Sequence, residues 1–193
     1  MRLYFVTGNR HKLEEARLAL RDCNAEIELV QADAPKLEIQ SMDVREVARV
    51  AALTAYLHLG KPLVVEDTGL YINALNGFPG AYAAHVYKTI GLRGVLKLLE
   101  GVEDRRARFV AAVAAVIPPR IYVVEGVVEG RITEEPRGSH GFGYDPIFEP
   151  EGYNKTFAEM SIEEKSRISH RARAFKKLCK VLEVLEESQG HKG

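Results

Sequence analysis

The chain has 193 residues, 46% hydrophobic and 28% charged, with 27 basic side chains against 27 acidic ones, a profile that suits one well-buried soluble domain over residues 1–193. Zero net charge gives no general attraction to nucleic acid, although local cations can still serve a small anionic ligand. No apolar run reaches the roughly 18 residues of a membrane span, no signal-peptide core is visible, and Cys23 and Cys179 form no C-x-x-C pair or disulfide framework, so two small buried hydrophobes in a reducing cytoplasm are expected.

Leu3 to Thr7 reads as a short strand ending in Gly8-Asn9, and Leu13, Ala16 and Leu20 share one face of a helix from His11 to about Asp22. A strand that turns through glycine into a helix offers backbone N–H groups and a positive dipole end to a phosphate, and Lys12 adds a full charge. Thr7, Gly8, Asn9, Arg10, His11 and Lys12 are thus a candidate phosphate segment; a plain turn with a solvated lysine is the alternative. The segment is not G-x-x-x-x-G-K-S/T, which disfavours an ordinary P-loop ATPase. Ile27 to Val30 reads as a second strand. In the polar loop that follows, Glu38 is either a surface acid or a metal ligand. A helix from about Asp43 to Leu59 has Asp43 as N-cap and Gly60 as stop.

Pro62 to Val65 reads as an apolar strand delivering Glu66-Asp67-Thr68-Gly69 at its C-terminal end, where open α/β sheets bind ligands. Strand alternation sends the two carboxylates to opposite sides, so one enters a cleft while the other is structural, and Thr68-Gly69 reads as a turn. Carboxylates at such a place suit Mg²⁺, which takes one or two of them with phosphate oxygens and waters. Asn76 to Gly80 is a rigid loop forming one wall, and a helix follows from about Leu92 to Glu100. Phe109 to Ile117 and Ile121 to Val128 form a hairpin through Pro118-Pro119-Arg120. The final helix runs from about Glu163 to Glu187, with Ala172, Phe175, Leu178, Cys179, Leu182 and Leu185 at helical spacing and the last six residues or so frayed.

The most informative stretch is Ser139 to Pro146. Gly141, Gly143 and Pro146 hold Phe142, Tyr144 and Asp145 within a short span, and a glycine-flanked aromatic beside a carboxylate can stack on a flat ring and accept its N–H. Lys165, His170 and Arg171 downstream supply donors to carbonyl or phosphate oxygens, which is the chemistry of a keto-purine. A core aromatic in a turn and charges on a helix surface are the plainer readings. Three Gln and five Asn beside many Glu, Arg and Lys are a bias seen in thermophile proteins.

Five motifs in order, T-G-N-R-H-K, E-D-T-G-L with N-A-L-N-G-F-P-G-A-Y, G-F-G-Y-D-P-I-F, T-F-A-E-M and E-K-S-R-I-S-H-R, span nearly the whole chain and resemble the Ham1-type inosine triphosphate pyrophosphatases. The resemblance implies hydrolysis of ITP, dITP and XTP to the monophosphate and pyrophosphate, which cleanses the nucleotide pool. It implies an α/β fold with a long mixed β-sheet, packed helices and two lobes around a central active-site cleft, and also a homodimer. By the same resemblance, Thr7 to Lys12 bind the triphosphate, Glu38 and Asp67 hold Mg²⁺, Asp67 accepts the proton of the attacking water, and Thr68 contacts substrate. Phe142, Gly143, Tyr144 and Asp145 hold the base with Lys165, His170 and Arg171. Some members carry a lysine in the helix after the glutamate loop where this chain offers Arg49, which alters the phosphate geometry. Donors at His170 and Arg171 match the 6-keto group of inosine and xanthine and leave adenine unpaired. The alternatives are another nucleotide enzyme, such as a phosphotransferase or a pyrimidine pyrophosphatase, and a non-catalytic nucleotide- or RNA-binding module. The Glu38–Asp67 pair argues against the module, because a binder needs no metal carboxylates.

Overall fold

The computed structural model describes residues 1–190, with side chains through Glu187; the expected fraying falls on 188–193, whose side chains lie outside the described residues. Strand β1 (Arg2–Val6) leads into α1 (Arg10–Ala19), which crosses over to β2 (Glu28–Ala32), lying parallel to β1. Helix α2 (Val44–Leu59) starts and stops where the sequence predicts. The Asp43 side chain caps it by accepting from Arg45 N, and Gly60 ends it in the left-handed region at φ +63°.

Strand β3 (Leu63–Ile72) corrects the expectation of a short strand ending at Val65. It pairs with β1 at Leu63 and Val64, then continues as the antiparallel partner of β5 (Arg106–Ile117), with Asp67, Thr68 and Gly69 opposite Ala112, Ala111 and Val110. No turn forms at Thr68-Gly69, because the β5 ladder holds these residues extended. The other edge of β3 is taken by β1 at one end and by β4 (Pro79–Gly80) from Leu70 onward, so among the described residues Val65 to Gly69 have no strand partner on that edge. The end of the parallel ladder, rather than the end of the strand, opens the site.

Two short helices follow, α3 (Ala83–Thr89) and α4 (Gly91–Leu98), where the sequence suggests one from Leu92 to Glu100. Helix α3 has seven residues and no side-chain cap, and so leaves little local signature. The expected hairpin forms between β5 and β6 (Arg120–Ile132), with Ile117 opposite Arg120 across Pro118-Pro119. Strand β7 (Phe148–Pro150) completes a seven-stranded mixed sheet of order β2-β1-β3-β5-β6-β7, with β4 on β3. The predicted terminal helix is two helices, α5 (Ile162–Ile168) and α6 (His170–Gly190). Ser169 breaks them apart with extended ψ 156°, and its Oγ accepts from Ala172 N at 3.1 Å to start α6.

Both faces of β5 are covered, so its sequence reads as a nearly unbroken apolar run. Ala111, Val113 and Ala115 face α1 and α6, while Val110, Ala112, Ala114 and Val116 face α2. A third cluster, around Phe109, Phe148 and Phe157, packs α3 and α4 against the far end of β3. Cys23 and Cys179 are not the free thiols expected. They form a disulfide, with Cα atoms 5.8 Å apart across 156 residues of sequence, because α1 and α6 pack side by side on one sheet face. With both cysteines paired, no free thiol points to a reducing compartment. Among the described residues, no helix is long and apolar enough to cross a membrane.

Candidate active site

The first wall of the site comes from the β1–α1 turn. Asn9 N donates to Thr7 Oγ1 (3.1 Å), and Asn9 Oδ1 accepts from His11 N (2.9 Å) and Lys12 N (3.4 Å), so the segment caps α1 with its own side chains. Lys12 then faces β3, with Nζ 3.5 Å from Glu66 Oε1.

The adjacent carboxylates of β3 diverge as alternation requires. Glu66 is buried beneath Arg171, which donates through Nε to Glu66 Oε2 (2.7 Å), and Thr68, on the same side of the strand, donates its hydroxyl to Glu66 Oε1. Burial raises the Glu66 carboxyl, but Arg171 and Lys12 outweigh it and hold the group well below the ordinary range. Asp67 is the opposite case. Its Oδ2 is buried with no hydrogen-bond partner, and desolvation pushes the carboxyl up to about 7, with Lys12 opposing and Glu66 and Glu38 adding. Glu38 is exposed and bonded to Lys36 Nζ at 2.6 Å, yet its charge is felt at Asp67. A buried carboxylate oxygen without a partner, as on Asp67, is a donor that fits a hard divalent cation such as Mg²⁺.

The second wall rests on a buried ion network. Lys165 Nζ donates to Glu15 Oε1 (2.8 Å) and Asp145 Oδ2 (2.7 Å), while Arg171 Nη1 donates to Glu15 Oε2 (2.7 Å). Arg171 Nη2 adds Glu66 Oε1 (3.2 Å) and Thr68 Oγ1 (3.4 Å). Of the five guanidinium N–H groups, these bonds leave one on Nη1 for a ligand. Burial raises the Glu15 carboxyl, but Arg171 and Lys165 more than reverse it; for Asp145 burial prevails over Lys165, and the group is raised. Lys165 Nζ lies 5.0 Å and Arg171 Cζ 5.5 Å from the centre of the Phe142 ring, which also stacks on His11 at 5.4 Å. His170 stacks on Phe109 (4.5 Å, 13° between planes) with Nδ1 unpartnered. Burial, reinforced by Arg171 and Lys165, holds this imidazole well below its ordinary value. It is neutral at neutral pH and offers one donor and one acceptor.

Backbone geometry fixes these positions. A Cβ at Gly126 of β6 would collide with His170 O and Ala174 N, so glycine lets α6 approach the sheet closely enough to bring in His170 and Arg171. Gly141, at φ +72°, has no room for a side chain beside Asp145 Oδ2, which itself accepts from Phe142 N at 2.9 Å.

Asn9, Lys12, Asp67, Thr68, Phe142, Gly143, Tyr144, Asp145, Lys165, His170 and Arg171 thus meet around one cavity of about 530 Å³. Five of the expected residues are not on its lining. Thr7 acts through Asn9, His11 packs on Phe142, Gly8 and Arg10 are exposed, and Glu38 stands to one side. Arg49 also stays off the lining and is exposed on α2. Tyr144 lines the cavity with its ring, but its hydroxyl is committed to Ala83 O at 2.8 Å. The sequence reading missed Glu15, which ties Lys165 to Arg171. Its one signal is an acid next to Ala16, on the apolar face of α1.

Residues 3–181 match the model of the Ham1 family. The chain is 50% identical to the dITP/XTP pyrophosphatase of Hyperthermus butylicus over 180 residues, covering 93% of this chain and 94% of that protein. It is 55% identical to the dITP/XTP pyrophosphatase of Ignicoccus hospitalis over 183 residues, covering 94% and 96%. The fold resembles the solved structure of a HAM1 protein from Coxiella burnetii, with TM-score 0.82 and 34% identity over 94% of this chain and 98% of that one.

Proposed function

The chain belongs to the Ham1 family, and from that premise we propose that it hydrolyses deaminated, noncanonical purine nucleoside triphosphates, ITP, dITP and XTP, to the monophosphate and pyrophosphate. The observation that carries this reading is Asp67, a buried carboxylate with an unpartnered oxygen, on one cavity with Lys12 and with Phe142, Lys165, His170 and Arg171. A water attacking the α-phosphorus forms the new P–O bond as the bond to the β-phosphate oxygen breaks, and Asp67 accepts the water's proton. Burial raises the Asp67 carboxyl above an ordinary aspartate, which strengthens it as a base for that proton. Lys12 and Asn9, which line the cavity at the start of α1, hold the phosphate chain. The uncommitted N–H of Arg171, Lys165 and the neutral His170 present donors to a 6-keto oxygen, and adenine's amino group would leave them unpaired.

The site's own charges argue for a metal. Lys165, Arg171 and Lys12 are matched by Glu15, Glu66 and Asp145, and Lys36 by Glu38, so among the described residues only Lys88 of the cavity's cations is left unpaired against the several charges of a triphosphate. Glu38 and Asp67 would hold Mg²⁺, which when bound neutralises phosphate charge and acidifies water. The enzyme would work in the cytoplasm on the nucleotide pool, as a homodimer; sedimentation showing a monomer throughout the micromolar range overturns the dimer.

The test is a panel of nucleoside triphosphates with Mg²⁺ and identification of the phosphate product. Pyrophosphate from ITP and XTP, with ATP poorly used, is the expected outcome; inorganic phosphate or a pyrimidine preference sinks the reading. Asp67→Asn should lower kcat by roughly 100-fold or more while nucleotide still binds, and turnover within about tenfold of wild type would remove Asp67 from the chemistry.

A further inference from the structure

Helix α3 brings to the cavity a side chain that no motif announces. Ala84 and Lys88 lie one turn apart on its surface, and both line the cavity with Lys12, Asp67 and Thr68. Four cations line this cavity, and three are committed to carboxylates of the chain itself. Lys12 stands 3.5 Å from Glu66, Lys165 bridges Glu15 and Asp145, and Arg171 bridges Glu15 and Glu66. Lys88 is exposed and, among the described residues, has no ion-pair partner. We propose that Lys88 contacts the phosphate chain of the substrate at its β- and γ-phosphates, the part that leaves as pyrophosphate, and sets affinity for that chain whatever the base.

The packing of the helix and the chemistry of the side chain orient it toward phosphate rather than base. The preceding Tyr87 packs edge-on against Tyr144 of the base segment at 5.6 Å, and Tyr144 is bonded to Ala83, so the base end of the cavity meets the helix through those residues. Lys88 stands one residue past those contacts and lines the cavity together with Lys12, Asp67 and Thr68. An ammonium on a flexible stem, with three rotatable donors, suits a mobile polyphosphate better than the fixed pattern of a base edge.

The inference rests on the pyrophosphatase reading, and its test keeps the two apart. Steady-state hydrolysis of ITP, XTP and ATP, together with inhibition by pyrophosphate and by IMP, is measured for wild type, Lys88→Ala and Lys88→Arg. In Lys88→Ala, kcat/KM should fall by roughly tenfold for every triphosphate, as for loss of a charge-assisted hydrogen bond, with the ITP:ATP ratio unchanged. The inhibition constant of pyrophosphate should rise by a similar factor while that of IMP stays within about twofold, and Lys88→Arg should restore most of the loss. Activity of Lys88→Ala within about twofold of wild type overturns the proposal. So does a changed ITP:ATP ratio, or equal weakening of IMP and pyrophosphate. A wild type that releases no pyrophosphate from ITP overturns the functional reading, and this inference with it.

Discussion

Arg171 is where expectation and structure differ most in consequence. Read from the sequence, it is a donor to the 6-keto oxygen of the base or, more plainly, a charge on a helix surface. Buried at 1% exposure and bonded to Glu15 and Glu66, it is also the counter-charge for two carboxylates that have no water to turn to. Arg171→Ala should therefore destabilise the fold by roughly 3–5 kcal/mol, the scale for breaking a buried ion pair from one side, besides lowering activity. Chemical denaturation of the variant checks this, and unchanged stability would mean the two carboxylates do not depend on Arg171. The pH dependence has a definite sign. Because Arg171 and its neighbours outweigh burial and depress Glu15 and Glu66 below their ordinary 4.5, their contribution is present above that value and is lost as pH falls toward the depressed ones. Asp67 was legible because a carboxylate pair after an apolar run is visible locally. Glu15 was not, because its partners lie 150 and 156 residues away.

Among the elements, the break at Ser169 matters most to the site. Periodicity from Ala172 onward reads as helix, and nothing local forbids extending it back to Glu163, since serine is tolerated in helices. What forbids it is the sheet: α6 starts at His170 and lies against Gly126, so His170 and Arg171 enter the cavity from the first turn of a new helix. Gly126→Ala should push α6 outward, because the added methyl meets backbone atoms of His170 and Ala174 that cannot rotate away. Overpacking of this kind costs about 1–3 kcal/mol, and a shift of the order of 1 Å at the site can cost about 100-fold in rate. The expected result is a lower melting temperature with a disproportionate loss of kcat/KM for ITP; activity and melting equal to wild type would show that the approach of α6 is not tight. Helix α3 went unseen because it is short and uncapped, and with it the sequence reading lost Lys88.

Across the whole molecule, the disulfide joins the turn after α1 to the middle of α6, and those two helices carry Lys12, Glu15, His170 and Arg171. Closing a loop of 156 residues is worth about 5 kcal/mol in the chain-entropy description, on the order of 10 °C or more of melting temperature for a chain of this size. Reductant should lower the melting temperature of wild type and leave a Cys23→Ser/Cys179→Ser variant unmoved, and identical melting of wild type with and without reductant would show that the thiols are not joined. The α/β alternation, the caps of α2, the β5–β6 hairpin and the residue types of a nucleotide site are each written in contiguous residues, through periodicity, turn chemistry and charge. Packing alone set that β3 runs on through Asp67 to Ile72 instead of ending at Val65, that Glu15 and Glu66 neutralise Lys165 and Arg171, that two distant cysteines meet, and that α3 carries Lys88 to the cavity. Each of these depends on which surfaces pack together, and packing brings into contact residues whose spacing along the chain carries no record of their separation in space.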